Sequence, residues 1–96
     1  MKNIYEKSES TVFTHECENE RYAYSLLTFA CTTHTRYGVC IRLSLGQDSY
    51  ENESADLFSS YEGAIRFLAF LYAHRVTPEN LPDVIEDFLS DFDQKG

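Results

Sequence analysis

Strict alternation of apolar and other residues between positions 37 and 45 constrains the fold of this chain most. The large apolar residues all fall on one side of this stretch: Tyr37, Val39, Ile41, Leu43 and Leu45. A period of two is typical of a β-strand with one buried face. The preceding stretch, 22–33, is rich in strand formers, and the turn region 34–36 separates the two. Together they predict an antiparallel hairpin.

A capping pattern and a helical period follow the strands. Ser59-x-x-Glu62 matches the capping box, in which a serine oxygen and a glutamate side chain satisfy amides at a helix start. Apolar residues then recur at helical spacing as far as Tyr72, which predicts a helix that runs to about His74-Arg75. Thr77-Pro78 ends this helix, because proline disfavours helical geometry at the residue before it.

The next segment predicts a second helix with two contrasting sides. It begins near Asn80 and has Pro82 in its first turn, where the missing amide costs little. The apolar stripe, which we expect to face the core, consists of Leu81, Val84, Ile85, Phe88, Leu89 and Phe92. The other side carries the carboxylates Asp83, Glu86, Asp87, Asp91 and Asp93. No lysine or arginine lies between Val76 and Asp93 to balance them.

Two weaker segments complete the prediction of strands. Thr11–Thr14 reads as a short strand. Gly46–Glu53 is a polar connection that leads toward a further strand at 55–58. The sequence therefore predicts an α+β fold, with a small antiparallel sheet of three to four strands and two C-terminal helices packed on one face.

The length of the chain predicts a single domain. A chain of 96 residues is long enough to bury one core without disulfide staples. We expect residues 1–96 to form that domain, with a mobile segment at 1–10, mainly strands at 11–58 and both helices within 59–93.

The C-terminal third resembles a known family. Arg75–Leu89 reads Arg-Val-Thr-Pro-x-x-Leu-x-Asp-Val-Ile-Glu-Asp-Phe-Leu, and Tyr37-Gly38 opens a strand. With the order hairpin, polar loop and helix, this is similar to small bacterial proteins of the domain-of-unknown-function family numbered 6514, over roughly residues 22–90. The resemblance implies a shared fold and an origin in bacteria or mobile elements, and it implies no activity.

Charge and cysteine content narrow the classes of function. The chain carries 16 acidic against 8 basic residues, a formal charge of −8. This balance disfavours direct binding to nucleic acid or to an anionic membrane. No apolar run approaches the ~20 residues that span a bilayer. Three cysteines, Cys17, Cys31 and Cys40, and an N-terminus without a signal sequence favour a cytoplasmic location.

Residues with metal or nucleophilic chemistry are too sparse for a recognisable site. His15-x-Cys17 and Cys31-x-x-His34 lack the four converging ligands of a zinc site. The loop at 48–53 has oxygen ligands without the calcium-loop pattern, and no glycine-rich phosphate loop is present. The sequence therefore predicts a protein that is not an enzyme, with no catalytic residue, no metal and no cofactor.

Interaction with a basic partner is the function that the acids favour. Carboxylates on a rigid helix can imitate nucleic-acid phosphates and compete for a basic groove. In size and charge the chain is similar to anti-CRISPR inhibitors and other DNA mimics, so the partner would be a CRISPR effector or another nucleic-acid-binding protein. The predicted partner-binding residues are Glu79, Asp83, Glu86, Asp87, Asp91 and Asp93, with Asp48, Glu51 and Glu53.

A second interpretation assigns the acids to solubility alone. The chain has seven tyrosines and seven phenylalanines, a large aromatic load for its length. Aromatic residues contribute heavily to interfaces as well as to cores. On this interpretation the protein is a small regulatory adaptor or a homo-oligomer, such as a homodimer, that uses an aromatic or apolar surface.

Overall fold

The chain folds into one antiparallel sheet followed by two helices. The structure, a computed structural model, describes residues 6–54 and 56–95, with side chains as far as Leu89. The elements are β1 (Glu6–Cys17), β2 (Glu20–Ala30), β3 (Thr35–Leu45), β4 (Asp48–Glu53), α1 (Tyr61–Ala73) and α2 (Leu81–Lys95). The strands lie in the order β1-β2-β3-β4. The predicted α+β architecture is confirmed, with four strands in the sheet.

The alternating segment forms the predicted hairpin with the strand before it. Tyr24 on β2 lies opposite Ile41 on β3, and Leu26 lies opposite Val39. All four side chains are buried in the core that the sheet shares with the helices. A tight turn at Gly46, whose φ is 60°, then joins β3 to β4. Glycine suits this left-handed conformation because it has no Cβ to clash.

The first strand is longer than the sequence predicts. Pairing with β2 begins at Glu6, opposite Ala30, although only Thr11–Thr14 was expected to be a strand and 1–10 to be mobile. The register shifts between Thr11 and Phe13, which marks a β-bulge. The first half of the strand, Glu6–Thr11, is polar and exposed, so it has no alternation of apolar and polar residues that would have revealed it. Residues 1–5 lie outside the described residues.

Helix α1 supplies much of the helical side of the core. Its buried residues Phe67, Leu68 and Leu71 join the cluster that includes Val39 and Ile41 of the sheet. Buried apolar side chains of this size each stabilise the fold by about 1.5–3 kcal/mol. The helix is therefore held by packing against β2 and β3.

A buried tyrosine ties the segment after α1 to the sheet. The Tyr24 hydroxyl donates to the Val76 carbonyl oxygen at 3.0 Å. Burial raises the pKa of this phenol to about 12. The Tyr72 ring packs edge-on against Tyr24 and stacks on Phe13 at 4.8 Å between ring centroids. The bonded and stacked rings fix the chain where it turns from α1 toward α2.

The start of α1 differs from the predicted capping box. The N-cap is Ser60, whose Oγ accepts from the Gly63 amide at 3.0 Å. Ser59 was predicted as the cap, and that prediction is wrong by one residue. The cause is non-local: Phe58 forms an isolated antiparallel bridge with Tyr37 of β3, which holds the chain extended immediately before the helix.

The second helix begins where the sequence predicts. Leu81 is its first residue, and Pro82 lies in the first turn. The Leu81 and Asn80 amides both donate to the Thr77 carbonyl oxygen at 3.1 Å. Leu81 is only 1% exposed, so it anchors the start of the helix in the core.

The two helices cover one face of the sheet, and they do not cover the other, second face. The helix face carries Tyr24, Val39 and Ile41, which pack with the helices. Alternation places Ser25 and Cys40, which lie opposite one another, on the second face. Both of these side chains are fully buried, although they do not belong to the core cluster.

Candidate functional site

Four predicted partner-binding carboxylates lie together on or beside α2. Asp83, Glu86 and Asp87 on the helix are exposed, and Glu79 in the preceding turn is exposed as well. Residues three and four apart share one side of a helix. We call Glu79, Asp83, Glu86 and Asp87 the acidic patch. The side chains of two further predicted residues, Asp91 and Asp93, lie outside the described residues.

No cation balances the acidic patch within the described part of the chain. The ion pairs found there are Lys7–Glu53, Arg21–Glu16, Arg36–Asp56, Arg42–Glu9 and Arg42–Glu51. Asp83 in the first turn is favoured by the helix dipole. Asp87 follows it by one turn, and like charges at this spacing destabilise a helix slightly. Stability therefore does not explain the acidic patch as a whole.

The acids predicted on the polar connection occupy a different environment. Asp48 begins β4 and is exposed. Glu51 pairs with Arg42, and the Lys7 Nζ lies 2.5 Å from Glu53 Oε1. The structure thus divides the predicted partner-binding set: the acids of α2 are unbalanced, whereas Glu51 and Glu53 already have cationic partners on the sheet.

An ion-pair network on the second face of the sheet was missed by sequence reasoning. Arg42 Nη2 and Nε donate to the two carboxylate oxygens of Glu9 at 2.6 and 2.9 Å. This two-point hydrogen bonding lowers the pKa of Glu9 and raises the pKa of Arg42. The hydrogen bond to Glu53 likewise raises the pKa of Lys7. The partners are 33 and 46 positions apart in sequence, so no local pattern could reveal them.

The ion-pair network covers small and apolar side chains on the second face. Lys7 on β1 reaches Glu53 on β4, and these strands are the two edges of the sheet. The pair therefore crosses the strands that carry Leu27 and Cys40, both 0% exposed. Burial raises the pKa of the Cys40 thiol to about 11. This thiol is consequently a poor nucleophile in the folded protein.

The apolar stripe of α2 is only partly buried. Phe88 and Leu89, predicted to face the core, are 38% and 39% exposed. Phe88 still contacts the core, with its ring centroid 4.8 Å from that of Phe67. Phe70 on α1 is 47% exposed. The predicted core-facing stripe thus contacts the core at Phe88 but leaves Phe88 and Leu89 partly exposed, and the predicted member Phe92 lies outside the described side chains.

A shallow groove separates α2 from the edge strand β4. Its volume is about 360 Å³, and its lining includes Asn52 of β4 with Ile85, Glu86 and Leu89 of α2. The Asn52 side chain donates to the Pro78 carbonyl oxygen at 3.2 Å and so ties β4 to the turn before the helix. The groove combines an apolar floor with an exposed carboxylate at its rim.

The cysteine and histidine residues, which could bind a soft metal ion, are not gathered into a metal site in the described part of the chain. The Cys31 amide donates to the His34 carbonyl oxygen at 2.9 Å, so the two residues flank a turn. The His34 Nδ1 lies 2.9 Å from Thr33 Oγ1. Of the residues that the structure describes, no three His, Cys, Asp or Glu side chains are grouped to hold a metal ion.

Comparison with known proteins assigns the chain to a family. A sequence model of a family of unknown function, DUF6514, matches residues 2–91. The chain belongs to the DUF6514 family. The resemblance of the C-terminal motif to this family is therefore confirmed. No curated protein and no solved structure matches this DUF6514 chain. Within 6–54 and 56–95, no helix of this DUF6514 protein has the length and apolar character needed to cross a membrane.

Proposed function

We propose that this DUF6514 protein is a non-catalytic binding module that docks a basic protein surface through the acidic patch. One observation carries the proposal: the exposed carboxylates Asp83, Glu86 and Asp87 have no ion-pair partner among the described residues. A concentrated, unbalanced field of one sign accelerates association with a surface of the opposite sign. It also discriminates against acidic partners.

The partner class that fits this chemistry is a cytoplasmic protein that handles nucleic acid, such as a CRISPR effector. Such proteins hold phosphates in grooves lined by lysine and arginine. Carboxylates on a rigid helix offer the same cations an alternative ligand. Occupation of the groove would then inhibit the partner without any chemical step.

Affinity capture tests this proposal. The tagged protein is mixed with a purified Cas9-type effector, and the bound fraction is measured at low salt, at high salt and with competing DNA. We expect binding at low salt that salt and DNA both release, because counterions and phosphates compete for the same cations.

A pair of charge-reversed variants provides the decisive comparison. Glu86→Lys with Asp87→Lys reverses two charges of the acidic patch. Glu16→Lys with Glu18→Lys makes the same change in charge at the end of β1 and in the turn after it, where Glu16 pairs with Arg21. We expect only the first variant to lose binding, by at least about 10-fold. Full binding by the first variant would reject the acidic patch as the docking surface.

A second candidate function uses the exposed apolar residues instead. Phe70, Phe88 and Leu89 are each more than a third exposed. Exposed aromatic and aliphatic side chains of this kind are enriched at protein interfaces. On this proposal the protein is a regulatory adaptor or a homo-oligomer. Sedimentation velocity tests the oligomer form, which predicts a dimer resistant to salt and is contradicted by a monomer at all concentrations.

A further inference from the structure

We propose that the outer edge of β4 accepts an extended segment of the partner as a fifth strand, with alternating basic and apolar side chains. The apolar side chains would enter the groove beside α2, and the basic ones would reach the carboxylates of β4. This inference rests on the proposed function for the basic character of the partner. It adds the conformation and the side-chain pattern of the docked segment.

The backbone groups of β4 point alternately toward β3 and toward the outer edge of the sheet. The Ser54 amide donates to the Val39 carbonyl oxygen of β3 at 2.8 Å. In an antiparallel ladder alternate residues turn their N–H and C=O groups toward the partner strand. The backbone groups of Ser49, Glu51 and Glu53 therefore point away from β3. The Glu53 amide is satisfied by Asn52 Oδ1 at 3.0 Å.

The outer edge of β4 is open within the described part of the chain. β4 is the last strand in the sheet, so no described strand pairs with Ser49 or Glu51 on their outer side. The other edge strand, β1, has a bulge between Thr11 and Phe13 that interrupts its hydrogen-bonding pattern. Of the two edges, β4 thus offers the regular backbone that strand addition needs.

The two faces of the sheet fix the side-chain pattern of the occupant. A fifth strand continues both faces of the sheet, so its side chains alternate between them. On the helix face they would meet the groove, where Ile85 and Leu89 provide apolar contact. On the second face they would meet Glu51 and Glu53, whose side chains are 55% and 38% exposed. A carboxylate that already binds one cation has further acceptor positions for another.

Charge decides between a basic partner and a second copy of this chain. Antiparallel pairing of two β4 strands would bring Glu51 opposite Glu51 or Glu53 of the other copy, with Asp48 nearby. Like charges opposite one another destabilise a strand pair, and edge charges of this kind oppose self-association. A segment rich in lysine or arginine has the complementary charge.

The test uses a blocked hexapeptide that alternates lysine and valine, added to the full-length ¹⁵N-labelled protein. We expect slower hydrogen exchange of the Ser49 and Glu51 amides, together with chemical-shift changes at Ile85 and Leu89. Three control peptides separate the contributions of apolar contact, positive charge and backbone hydrogen bonding to binding. They are a lysine–serine peptide without apolar anchors, a glutamate–valine peptide without positive charge, and a lysine–valine peptide N-methylated on alternate residues to block strand pairing. Each is expected to bind at least about 10-fold more weakly.

A matched pair of variants tests the groove. Leu89→Ser removes an apolar wall, and Val12→Ser makes a similar change at a residue of equal exposure, 39%, on the opposite edge strand. We expect Leu89→Ser to weaken peptide binding about 10-fold and Val12→Ser to leave it unchanged.

Three outcomes would overturn the strand-addition proposal. One is the absence of binding at millimolar peptide. Another is a set of shifts confined to Asp83 and Asp87 that N-methylation leaves intact, which would support electrostatic docking on the acidic patch alone. The third is protection of Ser49 and Glu51 without peptide in a dimer, which would make a second copy the occupant. The proposed function is judged separately, by the charge-reversed variants in the effector assay.

Discussion

Arg42 is the residue that organises the second face of the sheet. It donates two hydrogen bonds to Glu9 on β1 and pairs with Glu51 on β4. The alternation from Tyr37 to Leu45 predicts correctly that Arg42 points away from the core. It cannot predict the partners, because these depend on the register of strands that are distant in sequence.

Replacement of Arg42 by methionine should weaken the fold in a pH-dependent way. Methionine keeps the apolar stem and removes the charge. Because the pKa of Glu9 is depressed in the folded state, its pairing contributes stability above the ordinary carboxyl value of 4.5, and this contribution is lost as pH falls through the folded value. We expect a loss of roughly 0.5–1 kcal/mol near neutral pH that shrinks below about pH 4. Urea denaturation of both proteins, near neutral pH and below about pH 4, measures this difference in the free energy of unfolding.

Arg21→Met is the matched control for this prediction. Arg21 also pairs with a glutamate, Glu16, but both side chains are largely exposed, at 70% and 65%. Such pairs contribute little stability. An equal loss in both variants, or a loss in Arg42→Met that persists in acid, would contradict the role assigned to Arg42.

The Cys40 thiol should react slowly in the folded protein. Its pKa of about 11, against an ordinary value of 9.0, leaves about 100-fold less thiolate near pH 8, and the side chain is fully buried. A variant with Cys17→Ser and Cys31→Ser isolates this thiol for labelling with a disulfide reagent. We expect labelling in urea to be at least about 100-fold faster than in buffer. Equal rates in both would show that the ion-pair network does not cover Cys40.

At the scale of elements, the local sequence predicted the hairpin and the two helices. It did not predict the residues at which β1 and α1 begin. β3 and α2 have complete apolar patterns, so their type and approximate position were predictable. The first half of β1 was missed because Glu6–Thr11 is polar and exposed, so it carries no apolar pattern. The α1 cap moved from Ser59 to Ser60 because Phe58 is held by Tyr37, a contact that no capping rule contains.

The contribution of helix α2 to stability should depend more on its buried first residue, Leu81, than on the partly exposed Leu89. Leu81 is 1% exposed and belongs to the core cluster, whereas Leu89 is 39% exposed. We expect Leu81→Ala to reduce the free energy of unfolding by about 2–4 kcal/mol. For Leu89→Ala we expect a loss below about 1 kcal/mol. Chemical denaturation followed by circular dichroism gives both values, and similar losses would contradict this account of how α2 is anchored.

At the scale of the whole molecule, the acidic residues separate into balanced and unbalanced groups. The sequence identified the carboxylates of α2, because their lack of nearby cations is a local property. It also grouped Glu51 and Glu53 with them. Only the folded sheet brings Arg42 and Lys7 to those two acids. The acids of the candidate site were therefore predictable where they lie on one helix. The cationic partners of Glu51 and Glu53 were not predictable, because they arise from tertiary contacts.

The unbalanced group should make the stability of the protein salt-dependent. A formal charge of −8 on 96 residues produces self-repulsion, which screening relieves. Raising the salt concentration from about 0.01 M to about 0.15 M shortens the Debye length from roughly 30 Å to about 8 Å. We expect Tm to rise over this range. In the Glu86→Lys, Asp87→Lys variant, whose formal charge is −4 because each reversal adds two charges, the rise should be smaller.

Calorimetry at the two salt concentrations checks this expectation. The Glu16→Lys, Glu18→Lys variant has the same formal charge, so a comparison of the two variants separates net charge from the position of the acids. If self-repulsion is concentrated at the acidic patch, only reversal there reduces the salt response strongly. A fall in Tm with salt would instead mean that the ion-pair network dominates the electrostatics of the fold. A folded, more stable patch-reversed variant would show that α2 keeps its acids at a cost in stability, which is the trade-off expected of residues kept for binding.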